Sequence, residues 1–337
     1  MIGIGVVGYG YWGPNLVRNF AETPQCRVAA VCDRDPERLA LVKRRYPHVD
    51  VCAELDELLR NGRVDVVVIA TPVSSHFDLA LAALRTGRPV LIEKPLAQTR
   101  EQALCLIEEA ERRSLTLLVD HTFVYTGSVR KIREILRSDA FGETYYYDST
   151  RVNLGLFQHD VNVIWDLAVH DLCILDYLLE QQPAAVSATG TCHVPGGVEN
   201  LAYLTLFYGG NFIAHMAVNW LAPVKVRQVL IGGSQQMILY NDLEPSEKVK
   251  VYHKGITVSN SMPQENVHRL LVGYRTGDMW APDIDSTEAL RTEAAHFVDC
   301  VETGRRPITD GQAGLRVLRV LEAASRSLGQ HGRPAEV

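Results

Sequence analysis

The feature that most constrains the fold is an alternation of strand-like and helix-like patterns over residues 1 to 122. Short runs of Val, Ile and Leu are apolar throughout, which is typical of strands buried on both faces of a parallel sheet. These runs are Ile2–Val7, Val28–Cys32, Val66–Ala70, Val90–Ile92 and Leu115–Val119. The segments with helical periodicity between them are Pro14–Glu22, Pro36–Tyr46, Leu55–Asn61, Ser75–Thr86 and Glu101–Arg113. Residues 1–122 are therefore predicted to form an α/β Rossmann domain, a doubly wound parallel sheet.

Beyond residue 122 the pattern changes and predicts an α+β domain over residues 123–337. Strands are expected at 143–151, 184–192, 199–208, 211–220, 226–231, 236–240 and 247–253. Helices are expected at 128–137, 163–180, 287–302 and 312–328. Gly209 and Gly210 separate two of these strands and favour a hairpin. Consecutive hairpins indicate a large, mostly antiparallel open sheet.

Composition excludes several classes of protein. A length of 337 residues suggests about two domains. The net charge of −6 and the lack of a Lys/Arg-rich run argue against nucleic acid as a partner. The longest apolar runs are strand-sized, which argues against a membrane span, and the N-terminus lacks the pattern of a signal peptide. Seven scattered cysteines without a C-x-x-C pair favour reduced thiols, a cytoplasmic location and no metal site.

A glycine-rich turn follows the first strand. Residues 8–13 read G-Y-G-Y-W-G, which is G-x-G-x-x-G between a predicted strand and a predicted helix. In that setting Gly8 permits the turn, Gly10 lets backbone approach a pyrophosphate, and Gly13 lets helix and strand pack closely. The helix N-terminus offers unpaired N–H groups to the anion. We therefore expect a dinucleotide here, with Tyr11 and Trp12 also in contact with it; the alternative is a plain glycine-rich turn.

Asp33 ends the second predicted strand, twenty residues beyond Gly13. A carboxylate at this place accepts hydrogen bonds from ribose hydroxyls and repels a 2′-phosphate, which favours NAD over NADP. Arg34 is adjacent and could pair with such a phosphate, so NADP stays possible. Asp33 could instead cap the helix that begins at Pro36, a role that Asp35 could also fill.

Polar residues follow three of the predicted strands at the edge where open parallel sheets bind ligands. They lie in Ala70-Thr71-Pro72, with His76 on the next helix, in Glu93-Lys94-Pro95, and in Asp120-His121-Thr122. Partial burial disfavours the charged form of a lysine, so Lys94 could serve as an acid or base. Pro95 ends the strand and fixes where Lys94 lies. Thr71, Pro72, His76, Glu93 and Lys94 are candidate cofactor contacts, although charged residues and prolines also end ordinary strands.

Asp166 and His170 lie four residues apart at the start of the predicted helix 163–180. That spacing places both on one face of a helix, one turn from each other. Asn162 or Asp160 could cap the helix. The simpler interpretation is helix capping plus a buried histidine. With a nicotinamide site in the same chain, a carboxylate–imidazole pair that handles a proton becomes the better interpretation.

Taken together, these motifs resemble the Gfo/Idh/MocA family, the relatives of glucose–fructose oxidoreductase and inositol dehydrogenase, over essentially the whole chain. The matching segments are G-Y-G-Y-W-G at 8–13, A-T-P-V-S-S-H at 70–76, E-K-P at 93–95 and D-L-A-V-H at 166–170. In that family the lysine of E-K-P and the D-x-x-x-H pair form the catalytic group. The resemblance therefore implies that Lys94, Asp166 and His170 are catalytic. Val73 departs from the asparagine that many members carry after T-P, which would alter a cofactor contact.

The segment from Arg151 to Asp166 is similar to the branch that acts on nucleotide-linked amino sugars and sugar acids. That likeness implies a sugar site lined by four polar residues, Arg151, Asn153, His159 and Asn162. Arg151 is then a candidate for binding a carboxylate or phosphate. The alternative is an ordinary polar loop packed on the sheet.

The expected activity is transfer of a hydride between C4 of a nicotinamide and a ring carbon of a sugar or nucleotide sugar, C3 in the branch named above. One alternative is an inositol-type (cyclitol) dehydrogenase that uses the same three residues. Another, from a different class, is a non-catalytic NAD-binding sensor, which would be expected to lack the lysine or the histidine. The open sheet of the second domain predicts a homodimer or homotetramer formed through that sheet.

Overall fold

The computed structural model describes residues 1–155, 161–179, 181–195, 197–253, 255–258, 272–275 and 277–337. The chain forms two compact units. The first comprises Met1–Thr126 and Ser286–Glu322, and the second comprises Gly127–Asp285 and Ala323–Val337. The expected boundary at residue 122 is close to the first crossing. It misses the return of the chain to the first unit, because a helical pattern does not reveal which sheet the helix packs on.

The first unit contains a six-stranded parallel sheet with strand order β3-β2-β1-β4-β5-β6. Its strands are β1 (Ile2–Val7), β2 (Cys26–Cys32), β3 (Asp50–Cys52), β4 (Val66–Ile69), β5 (Val90–Glu93) and β6 (Leu117–Asp120). Its first helices are α1 (Gly13–Glu22), α2 (Pro36–Arg45), α3 (Leu55–Arg60), α4 (His76–Arg85) and α5 (Arg100–Arg112). The predicted doubly wound fold is confirmed. The short strand β3 was not predicted, since none of its three residues is fully buried.

The second unit contains a nine-stranded sheet with order β16-β13-β12-β11-β7-β10-β9-β8-β17 and a separate pair, β14 and β15. Its strands are β7 (Thr144–Leu154), β8 (Ala185–Thr191), β9 (Leu201–Phe207), β10 (Ile213–Asn219), β11 (Leu221–Gly233), β12 (Met237–Asn241), β13 (Val249–Tyr252), β14 (Gly255–Val258), β15 (Val272–Arg275), β16 (Met279–Trp280) and β17 (Ala335–Glu336). Its helices are α6 (Gly127–Leu136) and α7 (Val169–Leu179). All pairings in the large sheet are antiparallel except that of β7 with β10, so the predicted architecture is confirmed.

Two helices follow β16 in the chain, α8 (Ala289–Thr303) and α9 (Gly311–Gly329). Helix α8 belongs to the first unit, where Phe297 packs edge-on against Phe20 of α1 with ring centroids 6.3 Å apart. Both rings are fully buried, and burial of each such side chain contributes about 1.5–3 kcal/mol. Gly304, in the left-handed region at φ 71°, ends α8 where the sequence places a glycine.

Strands β7, β9 and β10 alternate between buried and exposed residues, as expected for a sheet with one covered face. On the other face Tyr146, Ile213 and Phe207 are direct neighbours across the three strands, because Ile213 pairs with both of the others. Their exposed fractions are 36%, 45% and 37%. This apolar row is defined here as the exposed row of the sheet. Among the described residues, no helix has the length and apolar character required to cross a bilayer.

Candidate active site

The glycine-rich turn has the backbone geometry of a phosphate cradle. Gly8 has a φ of +96°, and a Cβ there would lie 2.5 Å from the carbonyl oxygen of Ala70. A Cβ on Gly13 would lie 2.2 Å from the carbonyl oxygen of Gly8. Neither position tolerates a side chain, so the two glycines bring the start of α1 against β1 and let backbone approach a ligand closely. Pro14 lies in the first turn of α1, where its missing N–H costs nothing.

Asp33 is held at the end of β2 by backbone donors. Its Oδ2 accepts from the N–H of Tyr9 over 2.6 Å, and its Oδ1 accepts from the N–H of Asp35 over 2.9 Å. Asp35, not Asp33, caps α2 by accepting from the N–H of Glu37. Asp33 is thus tied to the glycine-rich turn, the position that a ribose-binding carboxylate requires. The residues of this turn fit a dinucleotide.

A neighbouring arginine was not predicted. The Nη1 atom of Arg38 lies 3.5 Å from Oδ2 of Asp33 and 3.5 Å from the place of a Cβ on Gly10. Arg34, the arginine expected there, is exposed. The helical periodicity of α2 brings residue 38 onto the side that faces Asp33, a signal that was available in the sequence.

His76 connects two of the segments that leave the sheet. Its Nδ1 lies 2.9 Å from the carbonyl oxygen of Pro95, and its Nε2 lies 2.8 Å from that of Thr71. The side chain is buried, and this desolvation lowers the pKa of His76. Because both ring nitrogens face backbone carbonyl oxygens, His76 holds the loop after β4 against the E-K-P segment; its contact with the cofactor stays a prediction.

The E-K-P segment ends β5 with a local hydrogen bond. The backbone N–H of Lys94 donates to Oε2 of Glu93 over 2.9 Å, and the Lys94–Pro95 peptide bond is cis. Desolvation and the nearby carboxyl of Asp120 raise the pKa of Glu93 well above its usual value, against the lowering effect of the Lys94 charge. Glu93 therefore keeps a proton to a higher pH than an exposed glutamate does.

Three carboxyl groups meet beside this segment. Glu93 and Asp120 are register partners on β5 and β6, and Glu293 reaches the same place from α8. The indole Nε1 of Trp12 donates to Oδ2 of Asp120 over 3.0 Å, and Thr122 Oγ1 donates to Oδ1. Glu93, Asp120 and Glu293 are called the carboxyl cluster below. Trp12 was expected to contact the cofactor, and its indole N–H is used here.

His121 follows Asp120 and is buried. Among the described residues, neither of its ring nitrogens has a hydrogen-bond partner. Desolvation, with a smaller contribution from the charge of Lys94, lowers the pKa of His121 to about 3. The imidazole is therefore neutral at physiological pH.

In the second unit, the residues around Asp166 form a π-helical turn, Ile164–Ala168, that leads into α7. Asn162, one of the two expected caps, caps this turn because its Oδ1 accepts from the N–H groups of Ile164 and Trp165. The indole Nε1 of Trp220 donates to Oδ2 of Asp166 over 3.0 Å. Single π-helical turns occur frequently at functional sites, since they redirect side chains within a helix. His170 lies in the first turn of α7 and is half-buried.

Arg151 forms a buried ion pair. Its Nε and Nη2 donate to the two carboxylate oxygens of Asp171 over 2.8 and 3.0 Å, and both side chains are at least 96% buried. Desolvation opposes the charge of Arg151, but the Asp171 carboxylate outweighs it and raises the pKa of Arg151. This placement assigns Arg151 to the packing of α7 on the sheet. It does not support the expected role as a sugar ligand.

The other three residues of the expected sugar site have different surroundings. Asn162 is occupied as a cap, and its Nδ2 donates to Oε2 of Glu199 over 3.1 Å. Asn153 is half-buried near the end of β7. His159 lies outside the described residues, as does Asp160, the other candidate cap.

One group of potential metal ligands occurs among the described residues, on α8. It contains His296, Asp299 and Cys300, whose ligand atoms lie within 4.8 Å of one another. His296 Nε2 accepts from the N–H of Ile308, and Asp299 pairs with Arg305. These groups are already engaged with protein partners.

Comparison with known proteins agrees with this architecture along the chain. Residues 2–121 match the oxidoreductase family with an NAD-binding Rossmann fold, and residues 129–239 match the GFO/IDH/MocA C-terminal domain. A UDP-N-acetylglucosamine 3-dehydrogenase of Acidithiobacillus ferrooxidans is 30% identical over 323 residues, which are 93% of each chain. The chain belongs to the GFO/IDH/MocA oxidoreductase family. It is an NAD-dependent oxidoreductase of the sugar or nucleotide-sugar dehydrogenase type.

One solved structure and two further sequence relatives are also similar to this chain. A crystal structure of the A. ferrooxidans enzyme has a TM-score of 0.82 and 27% identity, covering 98% of this chain and 99% of that one. A D-apiose dehydrogenase of Rhizobium rhizogenes is 24% identical over 348 residues, 98% of this chain and 96% of its own. An inositol 2-dehydrogenase of Saccharopolyspora erythraea is 34% identical over 197 residues, 57% of each chain. The predicted family, fold class and NAD cofactor are confirmed.

Proposed function

We propose that this member of the family oxidises a ring hydroxyl of a nucleotide sugar, at C3, with Lys94, Asp166 and His170 as its proton-handling residues. The observation that carries the substrate class is the likeness to a UDP-N-acetylglucosamine 3-dehydrogenase over 93% of both chains. A relative of similar identity that covers only about half of this chain, such as the inositol 2-dehydrogenase, gives weaker support for its own substrate class.

The reaction divides between the cofactor and the protein. NAD, when bound, accepts the hydride that leaves the carbinol carbon. The hydroxyl proton passes to Lys94 or His170 as the carbon–oxygen double bond forms, so atoms and charge balance. Asp166, kept in place by the indole of Trp220, stabilises the positive charge that develops on the proton acceptor. In the reverse direction the same groups return the proton to the ketone oxygen.

The first unit positions the cofactor and Lys94. The glycine-rich turn and the N-terminus of α1 bind the pyrophosphate, and Asp33 binds the adenosine ribose. Lys94 follows directly on β5, at the carboxyl edge of the sheet where such ligands bind. Holding the reacting atoms in a fixed arrangement is the main contribution of the protein to this type of catalysis.

Comparison of substrates tests the proposal. Purified protein with NAD is incubated with UDP- and dTDP-linked sugars and with free sugars and cyclitols, and NADH formation is followed by absorbance. We expect turnover with nucleotide sugars and a 3-keto product by NMR. Turnover confined to free sugars or cyclitols would overturn the nucleotide-sugar assignment and leave the oxidoreductase class intact.

A cyclitol dehydrogenase is the second candidate. It is favoured by the 34% identity with an inositol 2-dehydrogenase over 197 residues. Both candidates use the same three proton-handling residues, so the substrate panel separates them and mutation of those residues does not. A non-catalytic NAD sensor is disfavoured because the chain keeps both Lys94 and His170.

We infer that the protein is a homodimer or homotetramer assembled through the nine-stranded sheet. The exposed row of Tyr146, Ile213 and Phe207 supports this, because contiguous apolar side chains on an open sheet mark contact surfaces. Ile213→Lys is expected to lower the mass measured by light scattering after gel filtration. Leu243→Lys, at an exposed turn of the same unit, is the control and should leave the mass unchanged; an unchanged mass for both would refute the sheet interface.

A cytoplasmic location is inferred from the cysteines. All seven are free thiols, and none is joined in a disulfide. Fractionation of the producing cells, with immunoblotting of each fraction, tests this directly.

A further inference from the structure

The carboxyl cluster of Glu93, Asp120 and Glu293 has an unusual composition for a protein interior. Glu293 is fully buried and Asp120 is 1% exposed. Burying three carboxylates together would cost far more than the fold can offset, because each loses its hydration and repels the others. At least one of the three carboxyl groups must therefore be protonated. The hydrogen bonds indicate which members hold those protons.

Asp120 has the surroundings of an anion. Each of its carboxylate oxygens already accepts a hydrogen bond, Oδ2 from the indole of Trp12 and Oδ1 from the hydroxyl of Thr122. Bonds of this kind favour the ionised form of a carboxyl group. A protonated Asp120 would be a poorer acceptor for these two donors. The geometry thus assigns the negative charge of the cluster to Asp120.

Glu293 has the surroundings of a neutral acid. Among the described residues, no donor reaches either of its carboxyl oxygens, while its carboxyl contacts Asp120. Two carboxyl groups can form a hydrogen bond only if one of them carries a proton. Since Asp120 has its donors from Trp12 and Thr122, the proton belongs to Glu293.

Among the described residues, the titratable groups around Glu293 supply no counter-charge to Glu293 itself. Glu93 and Asp120 face Glu293 from the sheet, and Tyr125 faces it from the turn that packs on α8. On α1, which packs on α8 as well, Arg18 is engaged with Glu288. Burial raises the pKa of Glu293 well above its usual value, and the charge of Asp120 raises it further.

We propose that Glu293 is a positioning residue whose protonated carboxyl donates a hydrogen bond to Asp120. With Glu93 protonated as well, the carboxyl cluster carries a single negative charge, on Asp120. The connection to the reaction runs through Glu93, which is the register partner of Asp120 and accepts from the backbone N–H of Lys94. Three ionised carboxylates would repel one another and would also favour the charged form of the neighbouring Lys94. The protonated Glu293 prevents both. The catalytic consequence rests on the proposed role of Lys94.

Infrared spectroscopy tests the protonation state directly, without reference to activity. The carbonyl band of a protonated carboxylic acid is resolved from the bands of carboxylates. The NAD-bound protein labelled with 13C-glutamate should show such a band at neutral pH, and Glu293→Gln should remove part of it. Glu288→Gln, at the residue just before the same helix and paired with Arg18 at the surface, is the control and should leave the band intact. A band unaffected by Glu293→Gln would overturn the proposal.

The pH dependence of stability gives a second, independent readout. A group whose folded pKa is raised keeps a proton that the unfolded chain loses. The wild-type protein is therefore destabilised as the pH rises from the ordinary glutamate pKa towards the folded pKa, by about tenfold in the unfolding constant per pH unit. Glutamine does not titrate, so the melting temperature of Glu293→Gln should rise relative to wild type as the pH increases above the ordinary glutamate pKa. A difference that is constant with pH would contradict a protonated Glu293.

Activity links the cluster to Lys94. Glutamine keeps a donor for Asp120, so Glu293→Gln should retain kcat within about twofold and the wild-type pH profile of kcat/KM. Glu293→Leu removes the donor and should lower kcat about tenfold or more. Equal loss in both variants, or loss in neither, would refute the positioning role. If Lys94 has no catalytic role, neither variant changes the pH profile, while the infrared and stability results still decide the protonation of Glu293.

Discussion

The indole N–H of Trp220 donates to Oδ2 of Asp166 over 3.0 Å, and this bond joins the residue between β10 and β11 to the π-helical turn before α7. Trp220 is 1% exposed, so its ring is fixed by packing and gives Asp166 a single orientation. In the proposed reaction that orientation decides where the carboxylate acts on the proton-handling residues.

Replacing Trp220 with phenylalanine should lower kcat/KM by about tenfold or more, because a hydrogen bond to a charged group contributes about 1.5–3 kcal/mol. Steady-state kinetics with NAD and the identified substrate measure this. Trp165→Phe is the matched control, since the indole of Trp165 donates to the hydroxyl of Ser325 over 2.9 Å in the same unit. Equal losses in the two variants would mean that Trp220 acts only through packing.

Asp33 should determine the choice between NAD and NADP. The carboxylate of Asp33 would repel a 2′-phosphate. It lies 3.5 Å from Arg38, and without that carboxylate Arg38 could pair with the 2′-phosphate instead. Asp33→Ser is expected to raise the ratio of kcat/KM for NADP to that for NAD by about tenfold or more. The control is Asp35→Ser, which removes a nearby carboxylate but keeps a residue able to cap α2. An unchanged ratio in Asp33→Ser would refute this role.

The ion pair of Arg151 and Asp171 should matter for stability. Asp171→Ala leaves a buried guanidinium without its carboxylate, which costs about 3–5 kcal/mol and should lower the melting temperature by about 6 °C or more. Asp56→Ala breaks an exposed pair with Arg60 and should lower it by about 1–2 °C at most. Differential scanning calorimetry compares the two. Similar small shifts would show that Arg151 has other compensating partners, and would reopen its assignment as a sugar ligand.

The fold was largely predictable because continuous apolar runs such as Val66–Ile69 identify buried parallel strands without ambiguity. The strand Asp50–Cys52 escaped prediction since three half-buried residues leave no pattern. The backbone geometry of the glycine-rich turn followed from the G-x-G-x-x-G spacing, and Asn162 was one of the two caps considered for its helix.

Long-range pairing accounts for what the sequence did not reveal. Glu293 reads as a surface charge on an amphipathic helix, and only the return of α8 to the first unit places it beside Asp120. Arg151 was predicted as a sugar ligand from the likeness of its segment to one branch of the family, and its carboxylate partner lies twenty residues further along the chain. Local periodicity carries no information about either contact.

The central claim is that Lys94 handles the proton of the reaction, and Lys94→Ala tests it most directly. Turnover of the nucleotide sugar and the affinity for NAD are measured for this variant, with Lys43→Ala on the exposed side of α2 as the control. We expect Lys94→Ala to bind NAD as the wild type does and to lose kcat by at least about a hundredfold, the lower end of what a positioned acid or base contributes. A near-normal kcat in Lys94→Ala would contradict the account.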